Sequence, residues 1–309
     1  DRMLRQLTLA IVVALAGCPQ GGGAGGDSEN GGSGPNTGGG GGFIGGSTSN
    51  PPVPGGIFTP NGPIQVPIAI TEPSGFARPA EAITFGLPLP ESANILGTGS
   101  MGLFDGAAEL PAQFQILSRW NGLPTDSSRP IRWVLIDSQV DLAAGETRTL
   151  TFTNSGSGGA ASGLSIDLSD PAAAVVQTGA MEVRLNRARG NVFDRVAAGG
   201  QILCEDTTAS RTRSGLQLVD GNGTVYRAAN TASPEVVVEE AGPMRLTVRV
   251  TSELTSSGGT VFKPGAVRVM QRIHFYANKT FVRVHTQLEN NAPYGGFDGS
   301  YDAANALHG

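Results

Sequence analysis

The sequence predicts an all-β protein. Three observations carry this. Apolar and polar residues alternate with a period of two, as in Ile64, Val66, Ile68 and Ile70 against Gln65, Pro67 and Ala69. The apolar runs are short and bounded by Gly, Pro, Asp and Asn. No stretch sustains the 3.6-residue repeat of an amphipathic helix. Many short strands without helices between them specify a barrel or a sandwich.

The chain has 309 residues, enough for two domains of about 100–150 residues each. Charged residues make up 15% and the formal net charge is −5, so no basic excess invites nucleic acid. Translation is expected to start at Met3. Arg2 and Arg5 precede an apolar run from Leu7 to Leu15, interrupted only by Thr8. The run falls short of the ~20 residues that cross a bilayer and fits the h-region of a secretory signal. It ends in Leu15-Ala16-Gly17-Cys18, which resembles the lipobox of bacterial lipoproteins. That resemblance implies residues 1–17 as a signal peptide, lipid on Cys18 and the membrane as a partner through that lipid. Several acyl chains on one residue anchor stably where one is marginal. Pro19 is not the Asp that typically retains such proteins at the inner membrane. The resemblance therefore implies a lipid-anchored place in the cell envelope, at the outer membrane or cell surface. Residues 18–60, rich in Gly, Ser, Asn and Pro, read as a flexible tether.

The first group of strands follows, over residues 61–155: Ile64–Ile70, Ile83–Phe85, Phe114–Leu117, Ile131–Ile136 and Thr149–Phe152. Pro67 cannot donate to a ladder and marks an edge strand. A Gly/Ser patch from Ser155 to Ala161 opens a linker over 156–172. The second group, 173–309, has the pattern of an antiparallel β-sandwich. Its runs are Val175–Leu185, Leu216–Asp220, Val225–Arg227, Val236–Glu240, Met244–Val250, Val267–Tyr276 and Phe281–Leu288.

Within this strand order lie motifs with a family likeness. Glu72-Pro73-Ser74-Gly75 and Thr84-Phe85-Gly86-Leu87-Pro88-Leu89-Pro90 resemble the opening of the exo-rhamnogalacturonan lyase/YetA-like family. Arg119-Trp120, Arg132-Trp133-Val134-Leu135-Ile136-Asp137 and Asp141–Thr147 resemble later parts of the same first domain. Asn121-Gly122 stands where the family has Asp-Gly, and the connection Leu123–Pro130 is longer. Thr178–Val183, Glu239-Glu240-Ala241-Gly242-Pro243-Met244-Arg245 and Phe275–Val284 resemble its central sandwich. The likeness implies an N-terminal RIFT-type β-barrel followed by an antiparallel β-sandwich. It also implies a C-terminal α/α toroid that supplies much of the catalytic cleft. No helical segment has begun by Gly309, so the sandwich is read as incomplete and the toroid as missing. By resemblance the partner is an acidic polysaccharide such as rhamnogalacturonan.

Uronate elimination needs a base for the C5 proton, an acid at O4 and donors on the C6 carboxylate. No position matches a known catalytic residue, so the catalytic set is unassigned. One face carries suitable chemistry. If Val267–Tyr276 and Phe281–Leu288 form a hairpin through Ala277–Thr280, His274 faces Arg283 and Arg272 faces His285. Arg268, Arg272, His274, Tyr276, Arg283, His285 and Gln287 then share one face, opposite an apolar face of Val267, Val269, Ile273, Phe275, Val282, Val284 and Leu288. Arginine suits carboxylates, which makes this face a candidate glycan contact. The plain alternative is the solvated outer face of a sandwich, or a surface for a further domain.

Trp133, among apolar neighbours, is expected in the core, while Trp120 beside Asn121-Gly122 is left open between exposed and buried. Cys204 follows Ile202-Leu203 and is expected as a buried, inert thiol. His274, His285 and His308 lack ligand spacing, so no metal and no cofactor is expected. No P-loop, dinucleotide fingerprint, nucleophile elbow or Cys-x-x-Cys is present. Two readings remain: a fragment of an anchored polysaccharide lyase-like protein, expected to be inactive alone, and a non-enzymatic carbohydrate-binding or structural lipoprotein.

Overall fold

The structure is a computed structural model that describes residues 9–13, 57–58, 62–157, 163–191, 193–206 and 216–290. Cys18, His308 and most of residues 1–61 lie outside the described residues. The backbone of Leu9–Val13 (β1) forms a strand.

The first set of strands comprises β2 (Ile57–Phe58), β3 (Ile64–Thr71), β4 (Arg78–Pro88), β5 (Gly102–Asp105), β6 (Ala108–Leu110), β7 (Ala112–Arg119), β8 (Ile131–Leu142) and β9 (Thr147–Thr153). They form two antiparallel sheets, ordered β2-β3-β9-β5-β6 and β4-β8-β7. One apolar cluster joins them, including Ile64, Leu103, Val134, Ile136, Leu150 and Phe152, each 1% exposed or less. Among the described residues β3 pairs beyond Gln65 with β9 alone, so Pro67 sits where no donor is required.

The Glu72-Pro73-Ser74-Gly75 motif has a structural task. The Glu72 carboxylate accepts hydrogen bonds from Ser74 Oγ and from the backbone N–H groups of Ser74, Gly75, Phe76 and Gly145. It ties the β3–β4 turn to the β8–β9 turn. These donors, the Ser74 hydroxyl above all, hold its pKa at about 2.

The second set comprises β10 (Ser165–Asp167), β11 (Ala173–Gln177), β12 (Met181–Asn186), β13 (Arg195–Ala198), β14 (Gln201–Glu205), β15 (Gln217–Val219), β16 (Val225–Arg227), β17 (Glu235–Ala241), β18 (Arg245–Ser252), β19 (Thr255–Ser256), β20 (Val267–Tyr276) and β21 (Val282–Asn290). Two five-stranded sheets, β1-β21-β20-β18-β17 and β10-β11-β12-β13-β14, enclose a common core. From one sheet it takes Val176, Val183 and Leu185, and from the other Val248, Ile273 and Phe275. A small sheet, β15-β16-β19, caps a separate cluster around Leu254 and Val269. The molecule is thus all-β, built from several antiparallel sheets.

Three sequence expectations are corrected. The run Val175–Leu185 is two strands, because Thr178–Ala180 turns the chain with Gly179 at φ +88°. Cys204 is exposed, as are Ile202 and Leu203. They belong to β14, an outermost strand whose side chains fall outside the common core. Trp133 is 39% exposed rather than buried. Alternation along β8 itself sets Trp133 opposite Val134 and Ile136, and the register slip at Arg132, between Arg119↔Ile131 and Ser118↔Trp133, is what returns Ile131 to the core face.

Candidate functional site

The hairpin β20–β21 has the register expected from alternation. His274 lies opposite Arg283 and Arg272 opposite His285. Across the sheet, β18 places Arg245 opposite Tyr276, Thr247 opposite His274 and Arg249 opposite Arg272. The apolar face, with Val267, Val269, Ile273, Phe275, Val282 and Val284, is buried in the core, whereas Leu288, expected with them, is 37% exposed.

The polar face divides into two zones. The first meets the other strand set. Arg245 Nε lies 2.9 Å from Asp137 Oδ1 on β8, and its Nη2 lies 2.7 Å from Glu240 Oε2 on β17. Gln113 of β7 completes the contact. Its carbonyl oxygen accepts from the N–H groups of Met244 (3.0 Å) and Arg245 (2.9 Å), and its amide donates to Glu240 Oε1. Gln139 Nε2 donates to the Ala277 carbonyl at 2.7 Å. Gly242 is required here, since a Cβ would fall 2.1 Å from the Gln113 carboxamide.

The hydrogen bonds assign charge within this zone. Both Glu240 oxygens receive donors, from Gln113 and from Arg245 with Thr247. Asp137 Oδ1 accepts from Thr84 Oγ1 and faces Arg245, while the buried Oδ2 has no partner. Burial pushes both carboxyls above the ordinary range, desolvation outweighing Arg245. One guanidinium cannot neutralise two buried carboxylates. Asp137, with the bare oxygen, is the less completely satisfied of the two as an anion.

His274 and Tyr276 line the same zone. Burial, reinforced by the positive charge of Arg245, lowers the His274 pKa to about 4, so its ring is neutral near pH 7. Thr247 Oγ1 donates to Glu240 at 3.4 Å and lies 2.9 Å from His274 Nδ1. With the hydroxyl proton committed to Glu240, Nδ1–H is the donor. Tyr276 is only 5% exposed and packs against Phe281 at 5.7 Å between ring centres, and burial raises its pKa.

The second zone faces solvent. Arg249 Nη1 lies 3.2 Å from Glu235 and its Nε 3.1 Å from Glu239, which also takes Arg272 Nε at 2.7 Å. Arg268 stands across from Glu289. Five arginines (245, 249, 268, 272, 283) are thus set against five carboxylates (137, 235, 239, 240, 289). The face is charge-balanced. Among its arginines Arg283, exposed and opposite the neutral His274, has neither a carboxylate across the ladder nor an ion pair among the described residues. His285 packs edge-on to His274, 5.2 Å between ring centres.

Of the sequence-predicted residues, Arg268, Arg272, His274, Arg283 and His285 therefore stand on one sheet face, while Tyr276 is enclosed at its end. Sequence reasoning missed Gln113, Asp137, Glu240 and Arg245 as a group, although the last three sit inside the motifs quoted above. No group of three or more His, Cys, Asp or Glu among the described residues is placed to hold a metal ion. An open recess of about 600 Å³, lined by Asn94, Ile95, Ser100 and Asn154 among others, lies away from this face and has no charged side chain in its lining.

No protein-family model matches the chain, and neither does any curated protein sequence. Among solved structures, an alpha-mannosidase from Enterococcus faecalis V583 is similar to it at 12% identity, with a TM-score of 0.47. That alignment covers 74% of this chain and 30% of the mannosidase, so the chain spans under a third of that protein's length.

Proposed function

We propose that the chain is the glycan-facing part of a lipid-anchored cell-envelope protein of the polysaccharide lyase type. Its substrate would be an acidic polysaccharide such as rhamnogalacturonan, cleaved in the intact protein by β-elimination. On this reading residues 61–155 are a RIFT-type barrel, residues 173–309 a sandwich, and Cys18 carries the lipid. The order of the motifs from Glu72 to Val284 supports the family. The observation that carries glycan contact is Arg283, an exposed guanidinium without a carboxylate partner among the described residues, beside His285. A uronate carboxylate matches its bidentate fork. Arg272 stands diagonally beside it, and Arg268 lies farther along the same face.

A second reading, a non-enzymatic anchored carbohydrate-binding or structural protein, is favoured by the carboxylates that already hold Arg245, Arg249 and Arg272. One experiment separates the two. The chain is incubated with rhamnogalacturonan and followed for the ultraviolet absorbance of unsaturated uronate, then tested for binding to the same polymer. Binding without new absorbance is expected of this chain, and Arg283→Ala should weaken it. Robust product formation would place the catalytic groups within these residues. Absence of binding to any acidic glycan would sink the proposal.

A further inference from the structure

In the Arg119-Trp120…Arg132-Trp133 motif, three of the four side chains have tasks inside the fold. Arg119 donates to the carbonyls of Leu96, Pro124 and Arg129 and so fixes the connection that follows β7. Trp120 Nε1 donates to the Leu89 carbonyl at 3.0 Å. The Arg132 guanidinium lies 4.9 Å above the Trp120 ring. Trp133 has no such role. It is 39% exposed, and its indole N–H has no partner among the described residues.

The indole does not project freely into water. One edge of its six-membered ring reaches Gly86: a Cβ there would meet Cε3 at 3.6 Å and Cζ3 at 3.7 Å, and nothing else within 4 Å. The missing side chain at Gly86 thus leaves room for this edge of the ring over the sheet, while 39% of Trp133 stays exposed. Pleat alternation puts Trp133 on the same face of β8 as Asp137, four residues away or about 13 Å. Between them the face offers Gln115, Leu135 and Thr84 and no charged side chain. This surface is continuous with the buried contact around Arg245.

We infer that Trp133, seated over Gly86 and exposed, is a stacking platform for an uncharged pyranose ring of a glycan that runs toward the junction of the two strand sets. The inference rests on the glycan reading above and adds a subsite of different chemistry from Arg283. The negative π face attracts the polarised C–H bonds on one side of a sugar ring. The indole N–H and the Gln115 amide supply donors for hydroxyls. The adjacent cation, Arg132, is exposed but lies over the Trp120 ring, so the Trp133 face itself offers no charge to a uronate and suits a neutral sugar.

Fluorescence of the full chain in a Trp120→Phe background isolates Trp133. Titration with rhamnogalacturonan oligosaccharide should shift its emission saturably. Trp133→Ala should weaken binding, measured by calorimetry, by at least about tenfold. Its melting temperature should stay close to that of the parent, since the side chain lies outside the core. Gly86→Leu, which lifts the ring, should act in the same direction. Equal binding by parent and Trp133→Ala overturns the platform while leaving the glycan reading intact. No binding by the parent removes both. A concentration-dependent blue shift without sugar means that a second copy covers the indole, and that too overturns the inference.

Discussion

The two zones of one sheet face use the same chemistry to opposite ends. Arg249 and Arg272 share Glu239 in contact with water, while Arg245 holds Asp137 and Glu240 away from it. Arg245 and Asp137 are 11% and 3% exposed in their side chains, whereas Arg272 is 41% exposed. Exposed pairs gain little, because water and salt screen them and long side chains must be ordered. Buried charges are costly unless paired, so losing one partner is expensive. The enclosed zone is therefore the joint of the molecule, and the wet zone is free to meet other molecules.

The sharpest way to break this contrast is Arg245→Ala. It leaves two enclosed carboxyls without a cation and should cost about 3–5 kcal/mol, read from the urea unfolding midpoint at pH 7. Gly242→Ala comes next. Its methyl collides with Gln113, whose amide is already held by three partners, and about 1–3 kcal/mol should be lost in the same assay.

Titration sharpens the contrast further. The folded pKa values of Asp137 and Glu240 are raised above the ordinary 3.8 and 4.5. Their contribution is therefore complete below those ordinary values and is lost as pH rises through the folded ones. Asp137→Asn keeps the acceptor for Thr84 and Arg245 but no longer ionises, so its melting temperature relative to the parent should rise with pH. Glu240→Gln should instead lower the melting temperature at pH 7. An equal loss in both variants would show that the bare Asp137 oxygen does not set the two carboxyls apart. His274 runs the other way. With its pKa lowered from 6.5 to about 4, its contribution is complete above 6.5 and is lost as pH falls through about 4. His274→Gln should flatten the acid side of the thermal-stability profile. The smallest effect belongs to Arg249→Ala, within about 1 kcal/mol and fading in salt.

What could be read in advance follows from how local each signal is. The β20–β21 register was legible because a short turn and a two-residue alternation leave one pairing that buries Ile273, Phe275 and Val284 together. Trp133 was misplaced because apolar neighbours were read as burial, whereas the two-residue alternation running from Val134 and Ile136 already sets it on the other face. Cys204 was misplaced because an apolar neighbour pair signals burial only when another layer covers the strand. The Arg245 cluster left a weaker trace. Thr84, Gln113 and Asp137 fall at one level of neighbouring strands, and polar residues gathered so on a sheet indicate a second surface upon it. Nothing local says that the surface comes from Glu240 and Arg245.

Gln113 and Glu240 are 127 residues apart in the chain. During synthesis the earlier strands emerge and close while their partners are still unmade, since domains assemble one by one as the chain lengthens. Until the ribosome has delivered β17 and β18, Asp137 and Gln113 stay hydrated, and docking is the last event of folding. In a refolding time course, Arg245→Ala should leave early strand formation unchanged and erase only the final phase; a uniform slowing of every phase would contradict that order.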